Sequence, residues 1–442
     1  MIVERDRNMT VSIDTRSFDF PDITLPVVWR VAHRISAPSV PDVRSAAQKA
    51  ARSVVEQASP KPGASVAVGV GSRGIAGIAD VVGAVITELQ AHGCRPFIVP
   101  AMGSHGGATA EGQAGILAGY GIDEASLGVP VRATMEVVQL GTLDDGYPIF
   151  FDRYACEADA VLVVNRIKHH TDFKGPIESG LCKMCAIGLG KRQGAEAIHR
   201  FGADGLSGIM PEVGRRLVEA GSVIGGVGLI ENQYGRIAEI HGVPASEIGR
   251  EGEERLLEKA RKLAPRLAFD SADVLIVDEM GKNVSGTGMD THVIGRVRMP
   301  SIPEAEWDGP NVRMVVALAL TEQTHGNAAG LGLADIVTRR LLEQVDVAVT
   351  NTNHRTSQEG GAYRGGIPIV LETAEAAVRA AMGLCGRGNR GDIQVARIRN
   401  TEIVDVLEVS EGFMAEVTER DDLEVVSGPH PLDLSRLLGE PA

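Results

Sequence analysis

Residues 64–74 read Ala-Ser-Val-Ala-Val-Gly-Val-Gly-Ser-Arg-Gly, and they decide the fold. The apolar, β-branched run at 64–70 predicts a strand covered on both faces. Gly69-Val-Gly71-Ser72-Arg73-Gly74 predicts a tight turn, followed by a helix over about 75–92 that Gly93 closes. A second apolar strand at 95–100 runs into Met102-Gly-Ser-His105-Gly-Gly107, and another helix follows. Strand, helix, strand in this rhythm requires a parallel sheet with crossover helices.

Outward from that unit, the pattern predicts a buried strand at 158–164, a long loop at 165–180 and a helical stretch carrying Lys183 to His199. Helices near 209–219 and 246–263, with a strand near 222–230, complete the first half. Residues 1–60 read as an irregular segment leading into a polar helix at 41–57, and 261–266 reads as a linker. The second half reads as strands at 273–277 and 312–320, a helix at 331–343, a strand at 346–350, a helix at 373–383, and short strands near 393–398 and 402–408. The expected class is α/β with two domains. Residues 1–265 form a parallel-sheet N-terminal domain and 266–442 a second α/β domain, which closes an active-site cleft between them.

The 442 residues suit two or three domains at roughly 150 residues each. A net charge of −14 with 4% aromatics argues against a nucleic-acid partner, which needs a basic field and stacking rings. The charged start lacks an apolar signal core, and no apolar run of about 18 residues exists to span a membrane. Five cysteines at irregular spacing argue against a disulfide framework and point to a reducing cytoplasm.

Four motifs carry chemistry. The Gly69–Gly74 turn matches the dinucleotide fingerprint, but the next strand ends Val99-Pro100-Ala101, without the acid that would hold a ribose. Arg73 suggests anion capture instead, and tight helix packing is the plainer alternative. His105 sits in a glycine-bounded loop at a strand end, where ligands gather in doubly wound sheets. The loop Asn165 to Cys185 is long, polar and carries His169 and His170. Its Cys182-x-x-Cys185 has no second C-x-x-C to complete a zinc site, so two small residues on a helix face is the favoured reading. Lys183 and His199 lie 16 residues apart, joined by a stretch whose Gly188 and Gly190 let backbone approach a ligand closely. In the second half, Lys282, Thr324-His325-Gly-Asn327 and Asn351-Thr-Asn353-His354 are expected in polar loops after strands, forming the opposite wall of the cleft.

Taken together these residues resemble the lactate racemase family, the nickel-pincer nucleotide enzymes, over about residues 64–377. The resemblance implies a racemase or epimerase that inverts C2 of a 2-hydroxy acid by proton-coupled hydride transfer. Its cofactor is pyridinium-3-thioamide-5-thiocarboxylic acid mononucleotide carrying Ni(II). Lys183 would tether the cofactor, His199 would ligate nickel, and Ser72, Gly188 and Gly190 would line the cofactor. His105 and His170, with His169 the alternative to His170, would transfer protons. Arg73 would hold the substrate carboxylate, and Lys282 would lie in the cleft. The partners implied are the small substrate and cofactor-synthesis enzymes, and a homo-oligomer is left open. The loop from His170 to Lys183 is longer than in lactate racemase. The only tryptophans, Trp29 and Trp307, supply no match to the lactate-pocket tryptophan. The longer loop bears on the choice of His170 over His169; the missing tryptophan, with the polar His325, Asn327, Asn353 and His354, points to a larger polar acid, such as an aldonate or hydroxy-dicarboxylate. The rival readings are an NAD(P)-dependent 2-hydroxy acid oxidoreductase and a non-catalytic cofactor-binding homologue.

Overall fold

The computed structural model describes residues 20–71, 74–220 and 222–439. The chain divides into two compact units. One is Ser36–Pro265; the other joins Arg266–Ala442 to the chain before Ser36. β1 (Val27–His33) pairs with strands of the second unit.

The 36–265 unit is built on β2 (Ser65–Val70), β3 (Arg95–Pro100), β6 (Ala160–Arg166), β7 (Val223–Glu231) and β8 (Ile237–Pro244). The hairpin β4 (Val137–Thr142) and β5 (Pro148–Asp152) forms a separate ribbon. The main sheet runs β3-β2-β6-β7-β8, parallel except for β8. One face packs Val66, Val68, Leu162, Val164, Val227 and Leu229 against the helices Val43–Ala58 and Ile78–Ala91. Such unbroken apolar runs are what a sheet covered on both faces requires. On the other face, Gly69 and Gly226 leave room for Leu189 and Leu181 of the helical stretch that bears Lys183.

The second unit is built on β9 (Ser271–Met280), β10 (Asn311–Leu320), β11 (Ile336–Thr338), β12 (Ile369–Leu371), β13 (Val395–Ile398), β14 (Val406–Ser410) and β15 (Leu423–Pro431). With β1 they form one sheet, ordered β12-β11-β10-β9-β13-β14-β1-β15. β12 to β13 are mutually parallel, and β14, β1 and β15 continue it antiparallel. The expected helix at 331–343 is a short turn, then β11, then a helix only at Arg339–Glu343. The expected strand at 346–350 is the start of a helix, Val347–Thr356. There the Asp346 carboxylate accepts the N–H groups of Ala348 and Val349. That cap outweighs the β-propensity of Val-Ala-Val. Among the described residues no helix is long and apolar enough to cross a membrane.

Candidate active site

Among the described residues, His105 and His170 stand in the loops that follow β3 and β6, the two neighbours of β2. β2 lies between β3 and β6, so the loops that follow these strands leave the sheet side by side. Ser72 and Arg73 lie outside the described residues. Gly71, at the end of β2, has no space for a side chain: a Cβ there would meet Asn165 Oδ1 at 3.0 Å and Met184 at 3.4 Å. The turn after β2 therefore begins packed against both the end of β6 and the segment following Lys183.

His105 is exposed, in the loop after β3. The next residue, Gly106, has φ +65°, and a Cβ there would lie 2.7 Å from the backbone of Gly112 and Gln113. Only glycine lets the loop sit this close to the start of the Ala110–Gly119 helix. The loop is held from beneath by Gln113, which is fully buried. Its Nε2 donates to the carbonyls of Gly103 at 2.9 Å and His105 at 3.3 Å. Its Oε1 accepts from Lys191 Nζ at 3.1 Å. Lys191 is itself buried, bonded also to the Pro100 carbonyl and paired with Asp152 at 3.1 Å.

His170, in the loop after β6, is half-buried, and its neighbour His169 is buried. The buried Glu178 carboxylate accepts the backbone N–H of His170 at 2.5 Å and of Gly175 at 3.0 Å. Arg261 donates to it at 2.6 Å. The Asp172 N–H donates to His170 Nδ1 at 3.1 Å, so the neutral ring carries its proton on Nε2. The ring also lies against Phe173, centroid to centroid 4.6 Å.

Lys183 ends a helical turn, Leu181–Lys183, that passes into a π-helical turn, Met184–Gly188. Such widened turns are frequent at functional sites. Glu253, buried, caps the start of this stretch. It accepts from the N–H of Cys182 at 3.1 Å and of Gly249 at 2.8 Å. Beyond Gly190, Lys191 adopts φ +53°, and the helix Lys191–His199 follows. His199 at its end returns to within electrostatic reach of Lys183. Burial pushes the His199 imidazole down to about 4; the Lys183 charge adds to this and Asp172 opposes it. At neutral pH the ring is therefore neutral, the form that ligates metals.

Gly188 and Gly190 are buried, and the close approach they permit is that of the chain to itself. A Cβ on Gly188 would meet the Ala101 carbonyl at 2.8 Å, and one on Gly190 would collide with the Ala186 carbonyl. Cys182 and Cys185 are buried, and burial raises both thiols well above their ordinary value. That agrees with their reading as packing residues. Among the described residues, no group of three or more His, Cys, Asp or Glu is placed to hold a metal ion.

Lys282 belongs to the other unit. Its N–H donates to Thr324 Oγ1 at 2.9 Å, and its charge helps to lower His354. Thr350 ties the 326–328 turn to the helix carrying His354, through Gly326 at 3.2 Å and Ala328 at 3.0 Å. The three polar segments of this unit therefore do converge, although His354 sits on a helix and not in a loop. Trp29 is half-buried in β1, and Trp307 stacks on His292 at 4.6 Å.

Gln113, Lys191, Glu178 and Glu253, which hold these loops, are not signalled by any motif. Each acts on chain far away in sequence or through backbone atoms.

Residues 50–203 match the family model described as the lactate racemase N-terminal domain. No curated protein matches the chain. Among solved structures, the lactate racemase apoprotein from Thermoanaerobacterium thermosaccharolyticum aligns at 13% identity with a TM-score of 0.42, over 66% of this chain and 74% of that one.

Proposed function

We propose that this chain, whose residues 50–203 match the lactate racemase N-terminal domain, is an isomerase that inverts C2 of a 2-hydroxy acid with a nickel-pincer nucleotide. One observation carries the reading. Lys183 and His199, 16 residues apart in sequence, lie close enough for the Lys183 charge to help lower the largely buried His199 imidazole, which favours the neutral ring. Lys183 would offer an amine for attachment and His199 an imidazole nitrogen for Ni(II). When bound, the cofactor supplies an electrophilic centre that accepts the C2 hydride.

The chain's own residues supply the rest. In this reading Arg73 holds the substrate carboxylate through a bidentate pair, fixing C2 in place. One histidine would take the C2 hydroxyl proton of one enantiomer, and the second would protonate the same oxygen when the other enantiomer forms. His105 and His170 stand on loops that leave the sheet on either side of β2. For His170 to act as a base through Nε2, its proton must move to Nδ1 and the Asp172 N–H bond must open.

The test is a panel of chiral 2-hydroxy acids from lactate to gluconate, incubated with cofactor-loaded enzyme in D2O. Inversion with the C2 hydrogen retained is expected. Deuterium entering C2, or turnover that requires added NAD(P), overturns the reading.

A further inference from the structure

We propose that Lys191 is a positioning residue for His105, acting through the Gln113 amide and tying the Lys183–His199 stretch to the His105 loop. The proposal rests on the reading of His105 as a proton-transfer group. It begins with the surroundings of the Lys191 ammonium, which is wholly buried. It donates two hydrogen bonds and makes one ion pair, to groups from three separate elements. They are the Pro100 carbonyl at the end of β3, Asp152 at the end of β5, and Gln113 Oε1.

A lysine only donates, so the Gln113 atom facing it is the oxygen. The amide nitrogen is thereby turned toward the loop, where it donates to the carbonyls of Gly103 and of His105 itself. The loop carbonyls only accept and the ammonium only donates, so the two fix the same amide orientation from opposite ends, and loss of the ammonium leaves the buried Gln113 oxygen without its donor.

Stability does not account for the arrangement. A buried ion pair is usually matched or bettered by apolar residues of the same volume. Lys191 also holds φ +53°, a left-handed conformation that costs a non-glycine residue energy. That backbone geometry comes immediately after Gly190, where the π-helical segment gives way to the helix ending in His199. One side chain thus connects the segment between Lys183 and His199 to the loop bearing His105. Order in one is coupled to order in the other.

Two variants separate this from general support of the core. Gln113→Glu keeps an acceptor for Lys191 and removes both donations to the loop. Lys191→Met with Asp152→Leu removes the pair together, so that no buried charge is stranded. The readouts on the full chain are amide hydrogen exchange, the His105 ring titration by NMR, and single-turnover 2-oxo acid formation from each enantiomer. In both variants, exchange over 101–108 is expected to rise about 10-fold with 168–178 unchanged, and the His105 titration to shift. Single turnover from the enantiomer served by His105 is expected to slow about 10-fold, the other staying within about two-fold. Unchanged exchange and titration, or equal slowing for both enantiomers, overturns the proposal. If the wild-type chain turns over no 2-hydroxy acid, the functional reading falls, and exchange and titration alone decide the anchoring.

Discussion

Glu178 holds His170 by its backbone: the carboxylate accepts the His170 N–H at 2.5 Å while Arg261 donates to its other oxygen at 2.6 Å. The loop after β6 thus owes its shape to one buried acid, and the imidazole is left to make its own bonds. Glu178→Ala leaves two backbone N–H groups and Arg261 without their acceptor. The expected cost is about 2–3 kcal/mol, read as a lower denaturant midpoint. Hydrogen exchange over 168–178 should rise while 101–108 stays protected. A stability change without that local signature would mean that Glu178 serves only the helix carrying Arg261.

His199 is held as a neutral ring before any metal arrives, so replacing it removes a ready donor without a protonation change elsewhere. His199→Ala is expected to lose nickel on dialysis, measured by metal analysis of protein made alongside cofactor-synthesis enzymes. Intact mass of the unsubstituted protein should carry an adduct that maps to Lys183. Full nickel occupancy in the variant would remove His199 from the ligand set. Activity without the adduct would mean a cofactor held non-covalently.

The legible part of the fold was the part written in local pattern. The runs at 66–70, 96–100 and 160–164 are free of polar side chains, the pattern of strands buried on both faces. The turns after them therefore marked the site end of the sheet. β1 and β15 were invisible because half-exposed antiparallel strands depend on partners far along the chain; His33 pairs in register with Leu423. The helix at 347 was misread because Val-Ala-Val scores as strand until Asp346 is seen capping it. His105, His170, Lys183 and His199 stood out by residue type. Their supports did not: Gln113 and Lys191 are 78 residues apart, and Glu253 and Cys182 are 71 apart. Nothing in composition or spacing announces such pairs.

Acid should destabilise the second unit through His33. Burial holds this ring below its ordinary 6.5, Arg420 and Arg266 add to the effect, and the Asp422 carboxylate at 3.3 Å opposes it. The folded form therefore binds its proton less readily than the unfolded chain. The stability this contributes is present above 6.5 and is lost as pH falls from there toward the folded value. Melting temperatures at about pH 7.5 and about pH 5.5 should differ more for the unsubstituted protein than for His33→Gln. Equal differences would assign the acid sensitivity to other groups.

Two proton-transfer histidines make a kinetic prediction that is easily tested in the wrong way. The ratio of kcat/KM in the two directions is fixed by the equilibrium constant at C2. Replacing either histidine must therefore lower both directions by one common factor, whatever its role. The asymmetry appears only before the 2-oxo acid has turned over. On the proposed two-histidine reading, each enantiomer loses its hydroxyl proton to one histidine alone in a single turnover. His105→Gln should then slow 2-oxo acid formation from one enantiomer by about 100-fold and leave the other nearly unchanged, with His170→Gln showing the opposite preference. The common fall in steady-state kcat/KM and the mirrored single-turnover losses belong together. If both variants slow the same enantiomer, a single base serves both faces, and the loops after β3 and β6 must be given different roles.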